Sequence, residues 1–138
     1  MQSVTELPFN NFIGIERAPD SGSLLRLPSG AHYLNHLGTV HASALLGLAE
    51  ASSGEYLLQH FGSGANVAPV VRRTEAKFRK PAGGAVVSSA SVTFEALAQL
   101  DGDLATKRRA LVSVAVELHD QSGVHALSAS VEWFIQRL

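Results

Sequence analysis

The sequence predicts an α+β domain in which a curved antiparallel sheet of about six strands wraps one long central helix. Three observations carry that reading. Residues 35–59, NHLGTVHASALLGLAEASSGEYLLQ, join a small-residue loop to a long apolar run that holds one acid, Glu50, between His41 and Gly54. Everything after Gly64 alternates apolar and polar residues with the two-residue period of a strand that buries one face. Two short apolar segments joined by a turn precede the run. An apolar helix and a sheet with a single apolar face satisfy each other when the sheet wraps the helix.

The elements follow in order. Residues 2–8 read as a short helical lead-in ending at Pro8. FNNFIGIERA, with Phe12, Ile13 and Ile15, reads as a first strand, Pro19-Asp20-Ser21-Gly22 as a turn, and SLLRLP as a second strand of a hairpin. Pro28-Ser29-Gly30 ends it. Thr39 is the expected N-cap of a helix that runs to about His60, with Gly62 as its C-terminal stop. Its small residues Gly47, Ser52, Ser53 and Gly54 are poor helix formers and suit positions where another element approaches closely.

Four long strands in a meander are expected next. Val70, Thr74, Ala76 and Phe78 share a face of one, closed by Pro81-Ala82-Gly83-Gly84. Val86 to Leu97 is expected as a second, with Ala90, Val92, Phe94 and Ala96 together and a turn over Gln99–Asp103. Thr106–His119 and Val124–Arg137 form the last hairpin around Asp120-Gln121-Ser122-Gly123, with Val112, Val114, Val116 and Leu118 facing Leu127, Ala129, Val131 and Trp133. These strands exceed the usual five or so residues, and long antiparallel strands curl.

Composition bounds the function classes. A chain of 138 residues reads as one domain, 1–138, large enough to form a core of its own. It lacks cysteine, which excludes disulfides, thiol nucleophiles and thiolate-bound zinc. A formal charge of −1 gives no general field for nucleic acid, and aromatic residues are not interleaved with the basic ones. No apolar run has membrane-spanning length and MQSVTELPFNN lacks signal-peptide blocks, so a cytoplasmic protein is expected, without membrane or nucleic-acid partners. His32, His36 and His41 stand at metal-like spacing, but the segment carries Pro28, Gly30 and Gly38 and no nearby acid, so neither a metal nor a resident cofactor is expected.

The segment Asn35-His36-Leu37-Gly38-Thr39-Val40-His41-Ala42-Ser43, followed by Leu48-Ala49-Glu50, resembles the signature of hotdog-fold acyl-CoA thioesterases of the phenylacetic-acid-pathway type. Those proteins show an Asn or Gln, a Gly, then His-Gly-Gly at the helix start and an acid nine positions after the His. Asn35, Gly38, His41 and Glu50 fall at those places. FRKPAGG and the final hairpin resemble the family too, so the likeness covers nearly the whole chain. The departure is Ala42-Ser43 in place of Gly-Gly: alanine keeps the N–H and adds a methyl group, which narrows the pocket. The NHLGTVHA pattern also resembles a hotdog branch of unassigned activity, which implies the fold alone.

The resemblance implies hydrolysis of an acyl-CoA, with coenzyme A as part of the substrate. Residue chemistry supplies parts for it. Thioester hydrolysis needs a group that attacks the carbonyl or activates water, for which Glu50 is suited, and donors for the oxyanion, which the first helical turn at His41, Ala42 and Ser43 provides. A carboxylate covered on a buried helix is costly unless it is used or paired, and the alternative for Glu50 is a capping or ion-pair role near solvent. Asn35 resembles the residue that orients the carbonyl or the water, and its other reading is a turn cap. His41 either holds the thioester or stabilises the loop. Gly38, Ser43, Ser53 and Gly54 are candidates for lining the substrate pocket. Arg79 and Lys80, in a basic set with Arg72, Arg73, Lys77, Lys107, Arg108 and Arg109, are candidates for the phosphates of coenzyme A or for a solvated sheet face.

Nine residues at about 100° each turn Glu50 away from His41 and separate them by roughly 13 Å. A two-fold mate with an antiparallel helix would bring Glu50 of one subunit to Ala42 and Asn35 of the other. The resemblance implies such a homodimer with active sites at its interface, or a dimer of dimers. The sequence leaves open a non-catalytic acyl-CoA-binding hotdog protein and, less well supported for want of a His-centred motif, a hydratase or dehydratase.

Overall fold

The structure is a computed structural model that describes residues 3–138. Six strands form one antiparallel sheet: β1 (Glu16–Arg17), β2 (Leu25–Leu27), β3 (Val67–Phe78), β4 (Val86–Ser91), β5 (Arg109–Asp120) and β6 (His125–Arg137). Their spatial order is β1-β2-β4-β5-β6-β3, and α2 (Ala42–Phe61) packs against β2, β4, β5 and β6. This is the expected α+β arrangement of a curved sheet around a long helix.

The last hairpin matches its sequence pattern. In β5, Ala110, Val112, Val114, Val116 and Leu118 are buried; in β6, Leu127, Ala129, Val131 and Ile135 are. Each such Val or Leu, fully withdrawn from water, contributes about 1.5–3 kcal/mol. The turn is pinned by Asp120, whose carboxylate accepts from the N–H groups of Ser122 (2.9 Å), Val124 (2.9 Å) and Gly83 (3.1 Å). Burial works to raise the Asp120 carboxyl, but these donors, helped by His119, outweigh it and hold its pKa below the ordinary value.

The close approaches expected at small helix residues are present. Ser52 Oγ lies 2.6 Å from Ser88 Oγ of β4, tying helix to sheet inside the core. A methyl group at Gly47 would stand 3.2 Å from Ile13, and one at Gly54 would stand 3.5 Å from Trp133. Gly62 ends the helix at φ 85°, a left-handed value that costs other residues energy.

Several expectations are corrected. The segment read as a first strand is one only at its end: Glu16–Arg17 form β1 and pair antiparallel with β2 as the expected hairpin, while its start lies in the short helix α1 (Pro8–Phe12), opened by Pro8 at its first turn and capped by Ile13. The lead-in is a single 3₁₀ turn over Val4–Glu6, and Gln2 lies outside the described residues. The strand expected to run to Leu97 stops at Ser91, and the expected Gln99–Asp103 turn lies within α3 (Phe94–Lys107). Thr93 caps α3 by accepting from the Ala96 N–H at 3.2 Å, and Leu100 and Leu104 are buried one turn apart. The apparent alternation through Phe94 and Ala96 was therefore a short coincidence of two periods, and Phe94 is exposed. Thr106 falls in this helix too, so β5 begins at Arg109. Nor is the order a meander: β3 pairs with β6, and β4 bridges β2 and β5.

The helix is also not covered on every side. Leu45, Leu48, Ala49, Ser52 and Leu57 are buried, whereas Ala42, Leu46 and Glu50 are exposed. Their four-residue spacing makes them one bare stripe. The covered acid is Glu55, 1% exposed, which the sequence reading passed over.

Candidate functional site

The site begins with the loop ahead of α2. Asn35 Oδ1 accepts from the N–H groups of Leu37 (2.9 Å) and Thr39 (3.1 Å), and its Nδ2 lies 3.0 Å from Thr39 Oγ1. Gly38 takes φ 77° between them, a conformation that favours glycine. The Asn35 amide therefore braces a tight turn. Thr39 serves that brace and does not cap the helix.

The N-cap is His41. Its N–H donates to Tyr33 O (2.8 Å), its carbonyl accepts from Ala44 (3.0 Å), and its Nδ1 accepts the Ser43 N–H (3.0 Å). The ring nitrogen thus occupies one of the donors expected to serve the oxyanion, and in this chain His41 holds the loop. The Ala42 N–H makes no hydrogen bond among the described residues. It stands at the positive end of a 20-residue helix.

Two hollows flank this first turn. One, about 270 Å³, is lined by Asn35, Leu37, Ala42, Phe78, Arg79 and Lys80, among others. The other, about 440 Å³ and mostly apolar, lies between α1 and the helix start, with Phe9, Phe12, Tyr33, His41 and Ser43 on its walls. A third hollow of about 550 Å³ near Phe61 and Arg137 sits by the other end of α2, and no predicted site residue lines it.

The fold thus brings Asn35, Ala42, Arg79 and Lys80 to one groove, and places Ser43 and His41 in the neighbouring one. Gly38 lines a separate hollow beside Tyr33. Ser53 and Gly54 reach none of these hollows. Ser53 Oγ accepts from Trp133 Nε1 at 2.9 Å, and Gly54 lies beneath the same indole, so the space that their small size suggested is filled by Trp133.

Glu50 is exposed, and its carboxylate makes no hydrogen bond or ion pair among the described residues. Eight residues separate it from Ala42, about 12 Å along the axis and within 80° around it. Glu55 differs in every respect. Its Oε2 accepts from Arg17 at 3.0 Å and from Gln59 at 2.9 Å, while its Oε1 is buried without a hydrogen-bond partner.

Of the basic set, Arg73 pairs with Glu75, Lys107 lies 3.5 Å from Asp103, and Arg108 donates to Leu138 O at 3.3 Å. Arg79 and Lys80 are the ones at the groove. Arg79 Nε donates to Ser128 Oγ at 2.7 Å, a partner that sequence reasoning missed because it follows from the pairing of β3 with β6. Among the described residues, no three His, Asp or Glu side chains cluster closely enough to hold a metal ion, and no helix is long and apolar enough to cross a membrane.

The family model described as Domain of unknown function (DUF4442) matches residues 16–135. No curated protein matches the chain. Among solved structures, a Pseudomonas aeruginosa protein of unknown function, called a probable thioesterase, is 28% identical, with 98% of this chain and 91% of that one covered and a TM-score of 0.80. A Bacillus halodurans protein solved with CoA is 20% identical over 80% of this chain and 69% of its own, with a TM-score of 0.63. A mutant of a Staphylococcus aureus thioesterase is 13% identical over 94% and 99%, with a TM-score of 0.68. The last two establish likeness of fold. With its six-stranded sheet curved around one long helix, and a model match over nearly its whole length, the chain has the hotdog fold and belongs to the family of that domain of unknown function.

Proposed function

We propose that this protein is an acyl-CoA thioesterase that works as a two-fold dimer. The observation that carries the reading is the bare stripe Ala42–Leu46–Glu50, which runs from an unpartnered N–H at a groove rimmed by Arg79 and Lys80 to an unpartnered carboxylate two turns further along the helix. A mate laid antiparallel across Leu46 sets each Ala42 against the opposite Glu50. The thioester carbonyl oxygen accepts the Ala42 N–H, and charge developing on it is stabilised by the helix N-terminus. Glu50 of the mate attacks the carbonyl carbon and expels the coenzyme A thiolate, leaving an acyl–Glu50 anhydride that water then hydrolyses, or it takes a proton from the water that attacks and passes it to the departing thiolate. Pairing would also dry the site and strengthen these interactions.

Two further features support pairing. β3 is a 12-residue strand at the sheet edge, with a row of backbone groups open to another strand. Val70 and Phe78 on it are 58% and 48% exposed, apolar side chains near the two ends of this open edge. That neighbours of the same fold are called thioesterases, and that one was solved with CoA, supports the substrate class.

A binding protein without turnover is the second reading, favoured by one observation: His41 occupies the Ser43 N–H and the Asn35 amide is spent on its turn, which leaves Ala42 as the donor at hand. Thiol release from short, aryl and long acyl-CoAs separates the two. Turnover of at least one member, lost in a folded Glu50→Gln variant, supports the thioesterase. Silence across the panel together with tight acyl-CoA binding supports the binding protein.

A further inference from the structure

Arg79 is tethered at the groove. Its backbone N–H donates to Ala126 O at 2.9 Å and its Nε to Ser128 Oγ at 2.7 Å, so the residue that follows β3 is held twice to β6. Ser128 Oγ lies 3.2 Å from His125 Nε2, and the same ring nitrogen lies 3.2 Å from Glu117 Oε2. The His125 ring stacks on His119, with centroids 4.5 Å apart and planes 12° from parallel. Ser128 stands opposite Glu117 of β5 on one side and Lys77 of β3 on the other. Since Leu118 and Leu127 point into the core, Glu117 and Ser128 point outward. A row of contacts, Arg79–Ser128–His125–Glu117, in which the proton of His125 Nε2 is shared between Ser128 Oγ and Glu117 Oε2, therefore crosses the outer face of the sheet and ends at the groove.

An arginine fixed through Nε keeps its two terminal nitrogens free to grip an anion end-on. Here neither makes a hydrogen bond or ion pair among the described residues. Tethering also removes rotamer freedom before a ligand arrives, so less is lost on binding. Lys80 next to it has no such fork.

We propose that Ser128 and His125 are positioning residues that present the Arg79 guanidinium to a phosphate group of the ligand in this groove. The inference rests on the acyl-CoA reading above and names the residues that set its phosphate affinity. Ser128 acts through Arg79. His125, braced by Glu117 and His119, acts through Ser128.

The test is calorimetric titration with coenzyme A, which needs no turnover, alongside thioester kinetics. Arg79→Ala is expected to weaken binding about tenfold, and Ser128→Ala about three- to tenfold, with KM rising in parallel and kcat within about twofold of wild type. Ser128→Thr, which keeps the hydroxyl, restores binding. In an Arg79→Ala background, Ser128→Ala adds nothing, because the two act as one unit. Wild-type binding by Ser128→Ala, or an equal loss with and without Arg79, overturns the inference and leaves the thioesterase reading standing. A wild type that neither binds coenzyme A nor hydrolyses any thioester overturns both.

Discussion

Glu50 and Glu55 sit five residues apart on one helix and lead opposite lives. Glu55 is 1% exposed and ion-paired to Arg17, while Glu50 is exposed and unpaired. A helix turns about 100° per residue, so five residues carry a side chain about 140° around, from the bare stripe to the packed face. On this helix, then, the covered acid is the structural one. A carboxylate already committed to an arginine and a glutamine has little left to offer a substrate, whereas the uncommitted one is the acid that the proposed mechanism uses.

Substitutions can break that contrast. The largest effect is expected from Glu50→Gln: a fall in turnover of about 10³-fold or more, some 4 kcal/mol in the barrier, with an unchanged melting temperature. A Glu50→Gln protein with wild-type kcat would remove this residue from the chemistry. Ala42→Pro comes next. Proline suits the first helical position, and His41 already has the extended backbone a proline requires before it (φ −61°, ψ 139°), so the fold should persist while the single N–H disappears. A loss of about 10²-fold in kcat is expected, and full activity would show that the oxyanion is held elsewhere.

Arg17→Ala sharpens the other side. It leaves the Glu55 carboxylate buried against Gln59 alone, at an expected cost of about 2–3 kcal/mol in chemical denaturation with no change in kcat at saturating substrate. A neutral result would mean that solvent reaches Glu55. The smallest effect is on pH. The folded-state pKa of Asp120 is depressed, so its contribution to stability is fully present above the ordinary carboxylate value near 3.9 and is lost as pH falls through the lower folded value. Asp120→Asn should cost about 1–2 kcal/mol at neutral pH and flatten the acid limb of the stability profile below about pH 4, measured by urea titration. An acid limb identical to wild type would assign that slope to other carboxylates.

The final hairpin was legible because both of its strands lie against the helix on one face and water on the other, so the pattern reports burial directly. Residues 92–108 were not, although β4 begins at Val86 as expected. Val92, Phe94 and Ala96 continue the alternation of β4 by chance, and the cap at Thr93 carries the decision in one hydroxyl that a strand would tolerate equally well. In the site, Asn35, Ala42, Arg79 and Lys80 could be named from sequence, and the groove does gather them. Ser53 and Gly54 misled because a small residue signals a close neighbour without saying whether that neighbour is a ligand or Trp133.

The long helix, the faces of β5 and β6, the Asp120 turn and the motif that places an N–H and an acid on one helix are all written in neighbouring residues. These rest on local periodicity, capping and turn chemistry, which neighbouring residues specify. The tertiary structure alone decided the strand order, which acid is buried, which donors at the helix start are already taken, and that Arg79 meets Ser128 across 49 residues of chain. Each of those depends on contacts between segments distant in sequence, where the energy lies in pairing and burial and no local pattern records the partner.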